Sequence, residues 1–117
     1  MMGVGMARNE QRGLNRLAEN LRNLAQDLDD IAAGVRPTSD DLATAPILVD
    51  WEPRLSPAQG PAIRGTVVGH PTISDGETLR ADILAADPDL AWIRSWAGYY
   101  RLGPEAAASP IRRRASA

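Results

Sequence analysis

The clearest pattern in the chain is a seven-residue repeat of apolar side chains near its beginning. The large members recur at spacings of three and four, which is typical of one face of a helix. They are Leu14, Leu17, Leu21, Leu24, Leu28, Ile31 and Val35, and Ala18, Ala25 and Ala32 form a third column beside them. Gly34 and Pro37 supply a stop signal. The pattern therefore predicts an amphipathic helix over residues 9–33, about 35 Å long at 1.5 Å per residue.

The charges on this helix oppose its dipole. The basic residues lie toward its start and the acidic residues toward its end: Arg8, Arg12, Arg16 and Arg22, then Asp27, Asp29 and Asp30. Each such placement lowers the stability of the helix by about 0.3 kcal/mol. Burial of one leucine gains more, about 1.5–3 kcal/mol. Packing of the apolar stripe must therefore hold the helix.

The width of the apolar stripe allows the helix to pack in two ways. In one interpretation the helix lies on a sheet of its own domain. In the other, two copies of the chain associate through it, because the alanine column lets two helices approach closely. The residues of this predicted self-association are Leu14, Leu17, Leu21, Leu24 and Leu28. Both interpretations can hold together.

Shorter elements are predicted after the helix. Thr38 or Ser39 can cap a short helix over residues 39–45, with acidic residues in its positive first turn. Alternating apolar and polar positions then predict strands over residues 62–70 and 78–85. The segment 91–102 is ambiguous, because Asp87-Pro88-Asp89 is a good helix start. Its aromatic and β-branched side chains favour a third strand, bent at Gly98.

These elements predict an α+β fold. A long N-terminal amphipathic helix and a short second helix pack on a small antiparallel three-stranded sheet, a meander over residues 62–102. Such a sheet needs this cover, because three strands alone bury too little apolar surface. We expect a single domain over residues 1–103 and a disordered tail over 104–117.

Composition limits the size of the core. Among 117 residues, leucine, isoleucine and valine number 24, phenylalanine is absent and alanine occurs 19 times, so the core should be small. The formal net charge of −2 argues against a broad phosphate-binding face, although a local one stays open. No secretory signal or membrane span is recognisable, so we expect a cytoplasmic protein.

Candidate catalytic chemistry is sparse. The absence of cysteine excludes disulfides, thiol nucleophiles and cysteine-based metal sites. The one histidine, His70, lacks a recognisable nucleophile motif, and its simplest interpretation is a strand-end side chain that hydrogen-bonds to the backbone. The aspartate pairs do not follow the spacing of a calcium loop. We therefore expect no catalysis, no metal and no cofactor.

The best candidate surface is an aromatic and basic cluster. Four of the five aromatic residues fall between positions 92 and 100. Tryptophan and arginine are the types that anchor protein interfaces, they can also stack on bases, and the rings could instead fill the core. The candidate partner-binding residues are Trp92, Arg94, Trp96, Tyr99 and Arg101.

Three blocks carry a resemblance to known proteins: residues 45–51 (APILVDW), 69–71 (GHP) and 92–103 (WIRSWAGYYRLG). In this order they resemble a family of small bacterial proteins of unknown function, common in alphaproteobacteria and their plasmids. Relatives tend to have threonine where Ser95 stands and a Ser-Arg pair where Ala97 and Gly98 stand. The resemblance implies one small domain and no mechanism.

Together these features predict a non-catalytic protein-binding module. It would regulate or inhibit a larger bacterial or mobile-element assembly, an anti-CRISPR-type inhibitor being one concrete version. The alternative is a dimeric nucleic-acid-binding regulator that pairs through the residue 14–35 stripe. Neither interpretation involves a membrane.

Overall fold

In the computed structural model, residues 8–107 are described, and the chain divides into two compact units, residues 1–36 and 37–117. One domain over residues 1–103 was predicted. The described residues form two helices and six strands: α1 (Arg8–Ala32), α2 (Ser39–Ala43), β1 (Ile47–Ser56), β2 (Gly60–Val68), β3 (Thr78–Asp82), β4 (Ala85–Ala86), β5 (Trp92–Arg94) and β6 (Tyr99–Leu102). Only α1 belongs to the first unit.

Helix α1 confirms the long helix within one residue at each end. It stops because Gly34 adopts a φ of 87°, a conformation that glycine takes without strain. The N–H of Val35 then donates to the carbonyl of Asp30 at 2.8 Å, and that of Gly34 donates to Ile31 at 3.0 Å. This is the Schellman arrangement, which satisfies the last carbonyls of a helix.

The short helix is also confirmed, and Thr38 is its cap. The Thr38 hydroxyl accepts from the N–H of Asp41 at 3.0 Å, and the Asp41 carboxylate accepts from the N–H of Thr38 at 2.9 Å. This reciprocal pair is a capping box. The helix ends at Ala43, two residues earlier than predicted.

The sheet corrects the predicted three-stranded antiparallel meander. It has six strands in the order β3-β2-β1-β6-β5-β4. The strand missed entirely is β1, which pairs with β2 as an antiparallel hairpin. On its other side β1 pairs with β6 in parallel, Ile47 beside Arg101 and Leu48 beside Leu102. The segment 91–102 is strand rather than helix, but it forms the β5–β6 hairpin instead of one bent strand.

The sheet closes on itself because its two outer strands are consecutive in the chain. β3 pairs with β2, and β4 pairs with β5. Between them, the N–H of Ile83 donates to Pro61 and the N–H of Leu84 donates to Arg94, both at 3.0 Å. Residues 78–86 thus act as one bent strand that joins both ends of the sheet. The result is a small barrel, an arrangement that leaves few unpaired strand edges.

The core lies inside this barrel. It consists of Leu48, Trp51, Ile63, Val67, Ala81 and Ile93, with Ile73, Leu79, Ile83, Ala86, Tyr100 and Leu102 packed against them. All of these side chains come from the strands and from the segments between them. A closed barrel encloses its own apolar side chains. The helical cover was predicted because three strands alone would bury too little apolar surface. The six strands bury this core between themselves, so that reason does not apply.

The chain continues along β1 after the last strand. The N–H of Gly103 donates to Leu48, Asp50 donates to Pro104 and Ala106 donates to Trp51, at 2.8 to 2.9 Å. The first residues of the predicted tail are thus hydrogen-bonded to the barrel. The rest of that tail, residues 108–117, lies outside the described residues.

Candidate interaction surface around Trp96

The candidate contact residues differ sharply in burial. Trp92 and Arg94 are 5% and 3% exposed, whereas Trp96 is 57% exposed. Tyr99 and Arg101 are partly buried. The predicted alternation of Trp92, Arg94 and Trp96 along one strand fails because β5 ends at Arg94 and the next four residues turn into β6. Only Trp96 presents most of its surface to solvent.

The buried members hold the β5–β6 hairpin together. The rings of Trp92 and Tyr99 meet edge to face, with centroids 5.6 Å apart. The Arg94 guanidinium lies 5.4 Å from the centre of the Tyr99 ring and donates to the carbonyl of Ser95 at 2.6 Å. A desolvated cation–π contact is worth about 2 kcal/mol. Trp92 and Arg94 are therefore largely buried within the protein, and they expose little surface to solvent.

Arg101 joins β6 to the segment after α2. Its Nε and Nη2 both donate to the carbonyl of Ala45, at 3.0 and 2.8 Å. Ala45 is itself buried. A guanidinium satisfies a buried carbonyl well because its donors form a rigid fork. This bond gives Arg101 a structural role in holding the end of α2.

The side chain of Trp96 is exposed to solvent, but a hydrogen bond fixes its orientation. It lies in the turn between β5 and β6, which is closed by the N–H of Ser95 donating to Gly98 at 2.8 Å. Its indole Nε1 donates to Oδ2 of Asp82 at 3.1 Å. The other oxygen of Asp82 accepts from Nη1 of Arg80 at 2.5 Å. One carboxylate thus connects the indole to a guanidinium on β3.

A second arginine lies beside this group. Arg64 on β2 stands directly opposite Arg80 on β3 and opposite Glu52 on β1. Glu52 already forms an ion pair with Arg54. Among residues 8–107, the side chain of Arg64 forms no hydrogen bond or ion pair. Like charges that face each other across a sheet are destabilising. We name Trp96, Asp82, Arg80 and Arg64 the Trp96 surface.

Sequence reasoning found only one member of this surface. Trp96 stood out by residue type, whereas Arg64, Arg80 and Asp82 carried no signal. They lie 14 to 32 positions away and join Trp96 only through the pairing of β2 with β3 and the bond from Trp96 to Asp82.

His70 has the structural role predicted for it. Its Nδ1 accepts from the backbone N–H groups of Thr72 and Ile73, at 3.0 and 3.1 Å. Its ring stacks on Tyr100, with centroids 6.2 Å apart. No group of three histidine, cysteine, aspartate or glutamate side chains that could hold a metal ion occurs in the described part of the chain.

Tyr100 provides a prediction for alkaline pH. Burial raises the pKa of Tyr100 above its ordinary value of 10.0. The unfolded chain then ionises first, so the stabilisation is present below the unfolded pKa and is lost as pH rises through the folded pKa. We expect the free energy of unfolding to fall above pH ~10 less steeply in Tyr100→Phe than in the wild type. Urea denaturation at increasing pH measures this, and identical slopes would contradict it.

The predicted self-association residues lie apart from this surface in sequence and belong to α1. Leu14, Leu17 and Leu21 are each about half exposed, whereas Leu24 is buried and Leu28 is partly buried.

Within residues 8–107, neither helix is long and apolar enough to cross a membrane.

Comparison with known proteins places most of the chain in one family. The model of a family of unknown function, DUF6634, matches residues 19–112, which include all six strands and most of α1. No curated protein and no solved structure matches the chain.

Proposed function

The chain belongs to DUF6634, a family of unknown function, and we propose that it is a non-catalytic module that binds another protein through the Trp96 surface. One observation carries this proposal: a tryptophan that is 57% exposed is nevertheless held in place by a hydrogen bond to Asp82. A binding residue that is ordered beforehand loses less conformational entropy when its partner arrives.

The composition of the surface supports a protein partner. Tryptophan and arginine dominate binding energy at protein interfaces, where a few central residues carry most of it. The indole supplies a large apolar face, while Asp82, Arg80 and Arg64 supply a polar edge. With two guanidinium groups and one carboxylate, this edge is mildly basic. The partner we infer presents an apolar pocket for Trp96 and a carboxylate for Arg64.

Regulation is the role that suits such a contact. A small interaction surface of this kind can block or modify a larger assembly by covering part of it. We therefore propose that the module regulates or inhibits such an assembly. A nucleic-acid partner is the competing possibility, and salt dependence separates the two, because contacts to phosphates weaken steeply with ionic strength.

The test begins by identifying the partner and then measures its affinity for variants. The tagged chain captures proteins from a lysate of the organism that encodes it, and the protein captured in stoichiometric amounts is purified. We expect Trp96→Ala to weaken binding to that protein at least tenfold in calorimetry, about 1.4 kcal/mol. Arg64→Ala should weaken binding by a smaller factor.

Leu55→Ala is the matched control. Leu55 is 82% exposed on the β1–β2 hairpin, so its loss removes apolar surface outside the Trp96 surface and should leave the affinity unchanged. Equal affinity of Trp96→Ala and the wild type would overturn the proposal. So would tight binding to random DNA at about 50 mM salt that disappears at higher salt, because the partner would then be a nucleic acid.

A further inference from the structure

Strand β3 has one edge with which no other strand of residues 8–107 pairs. It is the last strand at its end of the sheet, and it pairs with β2 alone. Thr78 and Arg80 on this strand are exposed. An open edge presents backbone N–H and C=O groups that can accept a further strand.

Two hydrogen bonds farther along the same bent strand show which way its backbone groups point. The N–H of Ile83 donates to β2, whereas the N–H of Leu84 donates to Arg94 of β5. Backbone groups of successive residues in a strand point to opposite sides, so Thr78 and Arg80 direct theirs to the side of β5. β5 ends at Arg94, and the chain then turns away. A further strand on β3 would therefore continue the line of β5.

The outer face beside this edge carries two exposed arginines. Arg80 lies directly opposite Arg64 on β2, and Asp82 connects Arg80 to the indole of Trp96. Residues that lie opposite each other in a sheet project to the same face. A carboxylate on an added strand opposite Arg80 would therefore lie near two guanidinium groups, whereas a basic side chain there would be repelled.

We propose that the protein partner of the Trp96 surface contributes an extended acidic segment that adds to β3 as an edge strand. Its backbone pairs with Thr78 and Arg80, an acidic side chain lies opposite Arg80, and one end of the segment meets the indole of Trp96. In this mode of recognition main-chain hydrogen bonds supply affinity and side chains supply specificity. The inference rests on the proposed function, because it names the kind of segment that the Trp96 surface receives.

A second copy of this chain fits the open edge less well than an acidic segment does. Two β3 strands related by a two-fold axis pair antiparallel, and the register that uses residues 78–82 of both copies places Arg80 opposite Arg80. Like charges directly opposite each other destabilise a sheet. The charges of the edge therefore favour a different protein as the source of the added strand.

A synthetic peptide of about seven residues, the length of a short strand, is the probe. Valine alternates with glutamate along it, so every register that turns the valines toward the barrel places a glutamate opposite Arg80. We expect a dissociation constant on the order of 100 µM. At about 1 mM peptide, hydrogen exchange of the Thr78 and Arg80 amides in the full chain should then slow about tenfold.

Nuclear magnetic resonance measures this exchange residue by residue. The amides of Leu79 and Ala81 face β2, so their exchange should change less. A peptide in which valine alternates with lysine is the control and should leave all four amides unchanged. Unchanged exchange at Thr78 and Arg80 with about 1 mM of the glutamate peptide would overturn the proposal.

Thr78→Pro removes one of the outward N–H groups. Proline is tolerated on an edge strand where its N–H side faces solvent, and urea denaturation checks that the barrel stays folded. We expect Thr78→Pro to weaken binding of the glutamate peptide at least tenfold, whereas the matched control Thr78→Val, which keeps the N–H, should bind like the wild type. Equal binding by Thr78→Pro and the wild type would contradict strand addition.

Arg80→Glu changes the charge of the edge and keeps every backbone group. We expect this variant to bind the lysine peptide in preference to the glutamate peptide, because an acidic side chain then lies opposite each added lysine. A variant that still prefers the glutamate peptide would overturn the acidic character of the segment.

Failure of this inference and failure of the proposed function give different results. The peptide measurements do not use the captured protein, whereas the affinity of Trp96→Ala is measured with that protein. If Trp96→Ala weakens binding of the captured protein while Thr78→Pro leaves it unchanged, the partner does not add a strand and the inference alone is overturned. Peptide binding at β3 together with wild-type affinity of Trp96→Ala would overturn the proposed function alone.

Discussion

Trp51→Ala is expected to lower the free energy of unfolding by about 3–5 kcal/mol. Trp51 is 5% exposed and belongs to the core of the barrel. Its indole Nε1 also donates to the carbonyl of Gly103 at 2.7 Å, which ties β1 to the segment after β6. The substitution therefore removes the largest ring of the core and also leaves a carbonyl without its donor.

Urea denaturation followed by circular dichroism measures this effect. Trp96→Ala is the matched control, because it removes the same side chain from the surface, where we expect a loss of no more than about 1 kcal/mol. Trp51→Phe should fall between them, since it keeps part of the ring and loses the donor. Equal stabilities of Trp51→Ala and Trp96→Ala would contradict the enclosed barrel core.

Gly65→Ala is expected to cost about 3 kcal/mol, the upper end of the range for overpacking. A Cβ at Gly65 would lie 3.0 Å from Cβ of Trp51, 3.1 Å from the carbonyl oxygen of Val49 and 3.2 Å from Cα of Trp51. Two of these atoms are backbone, and all three belong to the wall of the barrel. Relief would require β1 and β2 to move apart at the bulge between Val49 and Glu52.

The chain offers a matched control at Gly98. An added Cβ there meets nothing within 4 Å, and Gly98 is not among the glycines with positive φ. Gly98→Ala should therefore change the free energy of unfolding by no more than about 0.5 kcal/mol. The two variants are compared by the same urea titration, and a neutral Gly65→Ala would show that the strands around Trp51 pack less closely than the structure indicates.

The missed strand illustrates why pattern reading failed in the middle of the chain. Leu48 and Trp51 both point into the barrel although they are three residues apart, whereas a regular strand alternates faces with a period of two. The cause is a bulge between Val49 and Glu52, where Asp50 adopts a φ of 49°. A bulge shifts the phase of the alternation, so neither half of β1 is long enough to be recognised.

The candidate surface was predicted in part for a similar reason. The cluster of aromatic residues and arginines was visible from residue types, but their burial was not. Trp92 and Trp96 were expected on one face of one strand, and the hairpin turn between them buries the first and exposes the second. Arg64 and Arg80 entered the surface only through the register of β2 against β3.

By itself the sequence determined both ends of α1, the start of α2 and strand structure within residues 62–70, 78–85 and 91–102. These features depend on interactions within a few residues: the spacing of leucines, the capping box of Thr38 and the stop at Gly34. Only the tertiary structure decided the parallel pairing of β1 with β6, the closure of the barrel and the location of the Trp96 surface. Backbone hydrogen bonds between strands do not depend on residue type. The pairing of β1 with β6, 54 positions apart in the chain, is therefore selected by how well the enclosed side chains fill one common interior.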